Sequence, residues 1–452
     1  MARRNDFTKG SIPLSILKMA VPMTVAQLIN VLYNVVDRVY IGQIPKTGTM
    51  ALTGLGLTFP IITIVIAFAN LVGMGGAPLL SIERGREHDE MAETILGNSF
   101  VMLVFFGVVL TIIGLIIKRP VLYLFGASAH TIGYADSYLT IYLLGNIFVV
   151  LGLGLNSFIN AQGFAKIGML SVAIGAIINI VLDPLFIYVF HMGVSGAALA
   201  TIISQFVSFL WIIRFLTGKN TIIRLKKDAM HLDFPLMGKI LGLGMAGFVM
   251  SVTSSTVQIV CNATLSLYGG DLYVGVMTVL NSIRDIVQMP VQGITNGGQP
   301  IISYNYGAKE NKRVLKGIYF ETATCLGYTF FAWALVHFFG IYFIHIFNQE
   351  ATLVQAAVPA LAAYFFGYFM MSFQFAGQST FVALGKSKQA IFFSIFRKVI
   401  IVVPLTILLP QMGFGVMGVF YAEPISNFIG GTASYLTMWL TVGRKLKNAK
   451  ES

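Results

Sequence analysis

Asn179 and Asp183, in the stretch Asn179-Ile-Val-Leu-Asp183-Pro184, are the residues best placed to do chemistry, because they lie inside an apolar run from about 169 to 190. Four residues apart on a helix, the amide and the carboxylate share a face. A run of about 20 apolar residues crosses a bilayer. An aspartate inside one costs a few kcal/mol and is rarely kept without a partner, a proton or an ion. A second acid, Asp37 in Asn34-Val-Val-Asp37-Arg38, stands in the first apolar run. Both acids fall in the outer half of their spans and can share a layer. Two close carboxylates in a low-dielectric site cannot both stay ionised without a counter-charge. That is the chemistry of a proton or sodium site at Asp37 and Asp183, with Asn30, Asn34, Asn156, Asn179, Thr201 and Gln205 as polar groups to complete the shell. The bland alternatives are an ion pair of Asp37 with Arg38, which is near enough to the surface to snorkel, and interhelical hydrogen bonding by Asn156 and Asn179.

The elements that position these residues follow from composition. The 452 residues are 56% hydrophobic and 11% charged, with mean hydropathy +0.80. A soluble domain is ordinarily about a quarter charged, so this is a polytopic membrane chain. Spanning runs lie at roughly 15–42, 52–80, 95–117, 131–155, 168–190, 194–216, 236–268, 274–303, 316–346, 353–379, 389–410 and 415–440. The expected fold is all-α, with twelve transmembrane helices in two parallel six-helix bundles.

The net charge of +12 is topological. Lys and Arg cluster at 3–9, 84–86, 166, 219–239, 309–316, 386–388 and 444–450, while the opposite loops hold only Lys46, Lys118 and Arg119. The positive-inside rule therefore places both termini in the cytoplasm of a multi-pass cell-membrane protein. Nucleic acid has no separate support as a partner. Cys261 and Cys325 both fall in spans, so no disulfide framework or metal site is expected. No cleavable signal is evident at the start of the chain.

An internal repeat links the halves. Gly75-Gly76-Ala77-Pro78 returns as Gly297-Gly298-Gln299-Pro300, Ala161-Gln-Gly163 as Ala383-Leu-Gly385, and Gly193 and Gly196 as Gly415 and Gly418; 297 less 75, 385 less 163 and 418 less 196 all give 222. One register over so long a stretch marks a true duplication. Each half crosses an even number of times, so the copies are parallel. The expected division is 1–217, a polar linker at 218–235, and 236–452. At the repeat offset Asp183 meets Leu405, and span 236–268 holds no acid. The candidate carboxylates are confined to the first half, as a functional rather than a packing role requires. Glu423, which matches Thr201, and the pair Arg284-Asp285 are further intramembrane charges. They either line a pathway or lock helices, the locking role being preferred for Arg284.

Gly385-Lys386-Ser387 lacks the first glycine of a phosphate-binding loop, since Thr380 stands there. With no nucleotide site and no nucleophile or metal cluster, the chain reads as a secondary transporter needing no cofactor beyond a coupling ion, H+ or Na+, and not as an enzyme. One proton moving down about 150 mV releases about 3.5 kcal/mol, enough for a gradient of a few hundredfold. Asp37-Arg-Val-Tyr-Ile-Gly42, Asn179-Ile-Val-Leu-Asp183-Pro184 and Gln299-Pro-Ile-Ile-Ser-Tyr-Asn-Tyr-Gly-Ala308 resemble the multidrug and toxic compound extrusion (MATE) family over essentially the full chain. The likeness is greatest to its bacterial DinF-like and MepA-like group. The resemblance implies a V-shaped pair of lobes and a monomer in membrane lipid. It also implies a multidrug antiporter for small organic, often cationic, compounds, with a first-lobe cation site matching Asp37, Asn179 and Asp183 near Asn156 and Thr201. The family's other branch has acids on helices seven and ten, where this chain has none. A lipid or lipid-linked oligosaccharide flippase is the alternative, with a charged cavity as its mark. A major-facilitator transporter is disfavoured by Ser81-Ile-Glu-Arg-Gly-Arg-Glu in place of that fold's basic loop, and a channel by the unlike halves.

Overall fold

The computed structural model describes residues 5–347 and 349–448. Backbone groups in hydrocarbon have no water to bond, so a chain this apolar must satisfy its amides within helices. Among the described residues all regular structure is helical. The first six segments are α1 (Ile12–Gly42), α2 (Gly48–Gly85), α3 (Asp89–Leu124), α4 (Ile132–Leu144 and Asn146–Ala161, bent by 57°), α5 (Ala165–Val189) and α6 (Gly193–Thr217). The second six are α7 (234–269) and α8 (271–307), parted at Gly270 where φ is 64°, then α9 (Asn311–Phe347), α10 (Ala351–Tyr364 and Tyr368–Ala383, bent by 44°), α11 (Ser387–Phe414) and α12, which runs in pieces from Met417 to Asn448. Each expected span lies along one of these twelve.

The repeat is visible in the backbone. Left-handed residues come in pairs at the same 222-residue spacing: Glu87 and Lys309, Gly163 and Gly385, His191 and Gly413, Gly193 and Gly415. Gly145 breaks α4 and Gly367 breaks α10, again at that spacing. Ser81 Oγ donates to the Ala161 carbonyl at 3.1 Å, and Ser303 Oγ to that of Ala383 at 2.7 Å. The paired Ala-x-Gly motifs are thus helix ends, each closed by a glycine in the one region other residues avoid.

Packing divides the chain into two compact units. The first is built mainly from Val25–Gly244; the second takes Phe7–Thr24 together with the chain from Met245 onward. By contacts, then, the start of α7 packs with the first unit and the start of α1 with the second. Glycine is the reason. In the first unit a Cβ on Gly75 would lie 2.0 Å from the Ile240 carbonyl oxygen, and one on Gly244 would lie 1.7 Å from that of Leu71. In the second a Cβ on Gly297 would lie 2.6 Å from Ala20 N. Asn305 and Arg313 also hold the approach to α1, donating to the Phe7 carbonyl at 3.1 and 2.8 Å. The polar segment after α6 is pinned to the first unit: Gln162 Oε1 accepts from Ile222 N at 3.0 Å and Ile223 N at 2.7 Å. Its short 3-10 turn, Lys227–Met230, packs Ala229 against Gly97 of α3.

Candidate cation site

In the first unit, α1, α5 and α6 converge on the buried acids. Asp183 is wholly buried and Asp37 is 8% exposed. Their carboxyl groups face each other within hydrogen-bonding reach. Asn179 Nδ2 donates to Asp183 Oδ1 at 3.2 Å and approaches Thr201 Oγ1 at 3.4 Å, which joins α5 to α6. Asp37 Oδ1 and Asp183 Oδ2 meet no hydrogen-bond donor. Among the described residues no ion pair reaches either acid. Arg38 instead lies over the Phe59 ring, 4.7 Å from its centroid. Just past Asp183, Pro184 removes a backbone donor, and α5 widens into a π turn over Leu185–Val189, a local form common at working sites.

Beside the acids is a cavity of about 50 Å³, room for a few waters, lined in part by Asn30, Tyr33, Asn156, Asn179, Thr201 and Gln205. Five of those six were named from sequence. Asn156 Oδ1 accepts from Ser171 Oγ of α5 at 3.2 Å. Asn34 is not part of this lining; its amide donates back to the Asn30 carbonyl at 2.6 Å. Sequence reasoning missed Tyr33, which stands near both acids, and Tyr138 of α4, in reach of Thr201. Tyr33 precedes Asp37 by one helical turn, so the spacing that linked Asn179 to Asp183 identifies it as well. Tyr188 Oη donates to the Tyr40 carbonyl at 2.6 Å, tying the end of α5 to α1.

The other charged candidates belong to the second unit. Glu423 Oε1 receives Arg397 Nη1 at 3.0 Å, and the same nitrogen donates to Asn427 Oδ1 at 2.7 Å, all of it buried. Arg284 bonds the Tyr364 hydroxyl and lies 3.9 Å from Asp285, whose side chain is largely exposed. The second unit also contains a carboxyl absent from the sequence candidates. Glu321 of α9 is completely buried, so buried acids are not confined to the first half. A span crowded with aromatic residues concealed it.

Fold and site together define a polytopic helical membrane protein with duplicated bundles, one of which carries a polar cavity beside two buried acids. The MatE family model matches residues 22–185 and 247–408, once in each half, and the chain belongs to that family. A Staphylococcus saprophyticus relative, "Multidrug export protein MepA", is 26% identical, with 96% of this chain and 95% of that protein covered. The protein of the same name from Staphylococcus aureus is 23% identical over 98% of this chain and 97% of its own length. Among solved structures, "Crystal structure of MATE in the bent conformation" superposes with a TM-score of 0.93 at 22% identity, covering 99% and 98% of the two chains. An outward-facing multidrug resistance MATE family transporter superposes with 0.91 at 22%, covering 100% and 99%.

Proposed function

We propose that this protein exports small organic compounds, often cationic, across the cell membrane in exchange for H+ or Na+, acting as a monomer in lipid with both termini cytoplasmic. One observation carries the reading: two buried carboxyls face each other in the first unit with no basic partner among the described residues. Such a pair repels itself until a cation enters, and hydrogen-bonding reach between the two favours a shared proton. The relatives' name, multidrug export protein, supports the substrate class. Asn179 and Thr201 hold Asp183 in place, and the cavity polar groups give the ion a wet approach.

The lobes at 1–217 and 236–452, joined by 218–235, are the bodies that alternate. With the site open to the outside, Asp37 and Asp183 take up the ion, the repulsion vanishes, and α1 bends near Pro22. Unit membership changes two residues after that proline, between Thr24 and Val25. The ion drives export only by binding the two states unequally. Ethidium efflux from proteoliposomes is expected to fall at least tenfold in Asp183→Asn and in Asp37→Asn at unchanged membrane insertion. Undiminished efflux in both rejects the reading. Separate pH and sodium gradients across the same vesicles identify the ion.

A further inference from the structure

Glu321 plays no part in that scheme, and its surroundings set it apart. It stands ten residues into α9, about 15 Å along the helix from Asn311. It is fully buried, neither carboxyl oxygen meets a donor, and it forms no ion pair among the described residues. Gly298 of α8 packs directly on it, since a Cβ there would fall 2.3 Å from Glu321 Oε2. Ser379 of α10 lies in reach, but its hydroxyl donates to the Thr295 carbonyl of α8 at 3.4 Å. The titratable groups near enough to feel the carboxyl are Cys325 on α9 and Tyr435 on α12, and neither can supply positive charge. An uncompensated carboxylate in such a place is strongly disfavoured. A metal ion needs several oxygen ligands, and no cluster of three or more acids, histidines or cysteines is found among the described residues. A proton needs only one oxygen.

The first unit supplies the control. At the repeat spacing Ser99 takes the place of Glu321, and a Cβ on Gly76 would lie 2.7 Å from Ser99 Oγ, in the same helix contact as Gly298 with Glu321. In the first copy the Phe158 ring, 2.5 Å from the same point, shares this niche with the serine hydroxyl, and Thr380 stands at its place in the second, so packing here is met in the first copy without any ionisable group. The carboxyl is an addition made in one copy, where the duplication gives it no shared structural duty.

We propose that Glu321 is a proton-binding site of the second unit, separate from Asp37 and Asp183, which binds and releases a proton with pH. The test uses the full chain in lipid nanodiscs and the infrared carbonyl band of protonated carboxylic acids, in an Asp37→Asn/Asp183→Asn background. The readout is thus independent of efflux and of the first-unit reading. A band that fades as pH rises, and that is lost on adding Glu321→Gln, is expected. Glu321→Ser, which installs the other copy's residue, is expected to remove the same band at a melting temperature within a few degrees of the parent, and serves if the glutamine variant fails to fold. The proposal is overturned if the band survives these substitutions or stays constant at every pH at which the protein remains folded.

Discussion

In the first unit Gly175, Thr201 and Gln205 border the cavity beside Asn179. At the same register of the second unit, 222 residues on, stand Arg397, Glu423 and Asn427, joined in a buried network at 3.0 and 2.7 Å. A glycine in one copy answers an arginine in the other, whose methylenes lie along Gly430 of α12, 2.7 Å from where its Cβ would be. Common ancestry thus produced an opening in one bundle and a plug in the other. The opening keeps unpaired acids next to water-sized space. The plug pairs its acid with a guanidinium, which also donates to the Asn427 carboxamide oxygen. The two acids beside the opening have no basic partner among the described residues, whereas Glu423, which ties α12 to α11, is paired.

Breaking the plug is expected to have the largest effect on stability. Arg397→Ala leaves Glu423 buried without its partner, and loss of one member of a buried pair costs about 3–5 kcal/mol. Thermal unfolding in detergent should show this as a steep drop in melting temperature, larger than that of Asp183→Asn, Gly175→Leu or Tyr188→Phe. Replacing both members with apolar residues, Arg397→Met with Glu423→Leu, is expected to restore most of it. A double variant as unstable as the single one would mean that Arg397 contributes through packing rather than charge. Asp183→Asn is expected to behave in the opposite way, with export lost and stability little changed.

How much of this the sequence discloses depends on the type of contact. Apolar run lengths fix twelve helices, because hydrocarbon forces every amide into one. The glycine register reveals the duplication, since left-handed turns at Gly163 and Gly385 and close helix approach at Gly75 and Gly297 tolerate nothing larger. Asp37, Asn179 and Asp183 stand out because acids in apolar runs are rare, and amides and carboxylates four apart share a face. Partners across space are less legible. Nothing local announces that α7 begins against Gly75, that Gln162 pins Ile222 and Ile223, or that Arg397 reaches Glu423 on the next helix. Glu321 lay within reach of the repeat comparison, which sets it opposite Ser99, but its signal is one letter in an aromatic span.

Filling the opening tests the other side of the comparison. A Cβ on Gly175 would meet Ser208 Cβ at 3.5 Å and the Ser204 carbonyl at 3.6 Å, which is ordinary contact. Gly175→Leu therefore places bulk in the cavity without a severe backbone clash, at an overpacking cost of about 1–3 kcal/mol. Export in proteoliposomes is expected to fall about tenfold, equivalent to about 1.4 kcal/mol, with the protein still folded. Full activity with the cavity filled would show that the ion reaches Asp183 by another route.

The smallest effect concerns a tie present in one copy alone. Tyr188 Oη donates to the Tyr40 carbonyl at 2.6 Å, while Pro410, which has no side-chain donor, stands at the equivalent place in the second unit. The bond ties the end of α1 to α5 three residues beyond Asp37 and five beyond Asp183, close to both carboxyls. Tyr188→Phe removes one hydrogen bond and keeps the ring that packs edge-on with Tyr40 at 6.4 Å. The stability loss is expected to be about 0.5–1.5 kcal/mol, near the limit of a melting experiment. If the two acids couple export to an ion as proposed, coupling should register it more clearly, because a looser α1 lets them drift apart and weakens their mutual repulsion. The dye gradient sustained per unit of pH gradient is expected to fall about twofold in Tyr188→Phe. An unchanged ratio would mean that Asn179 and Thr201 suffice to hold Asp183 against Asp37.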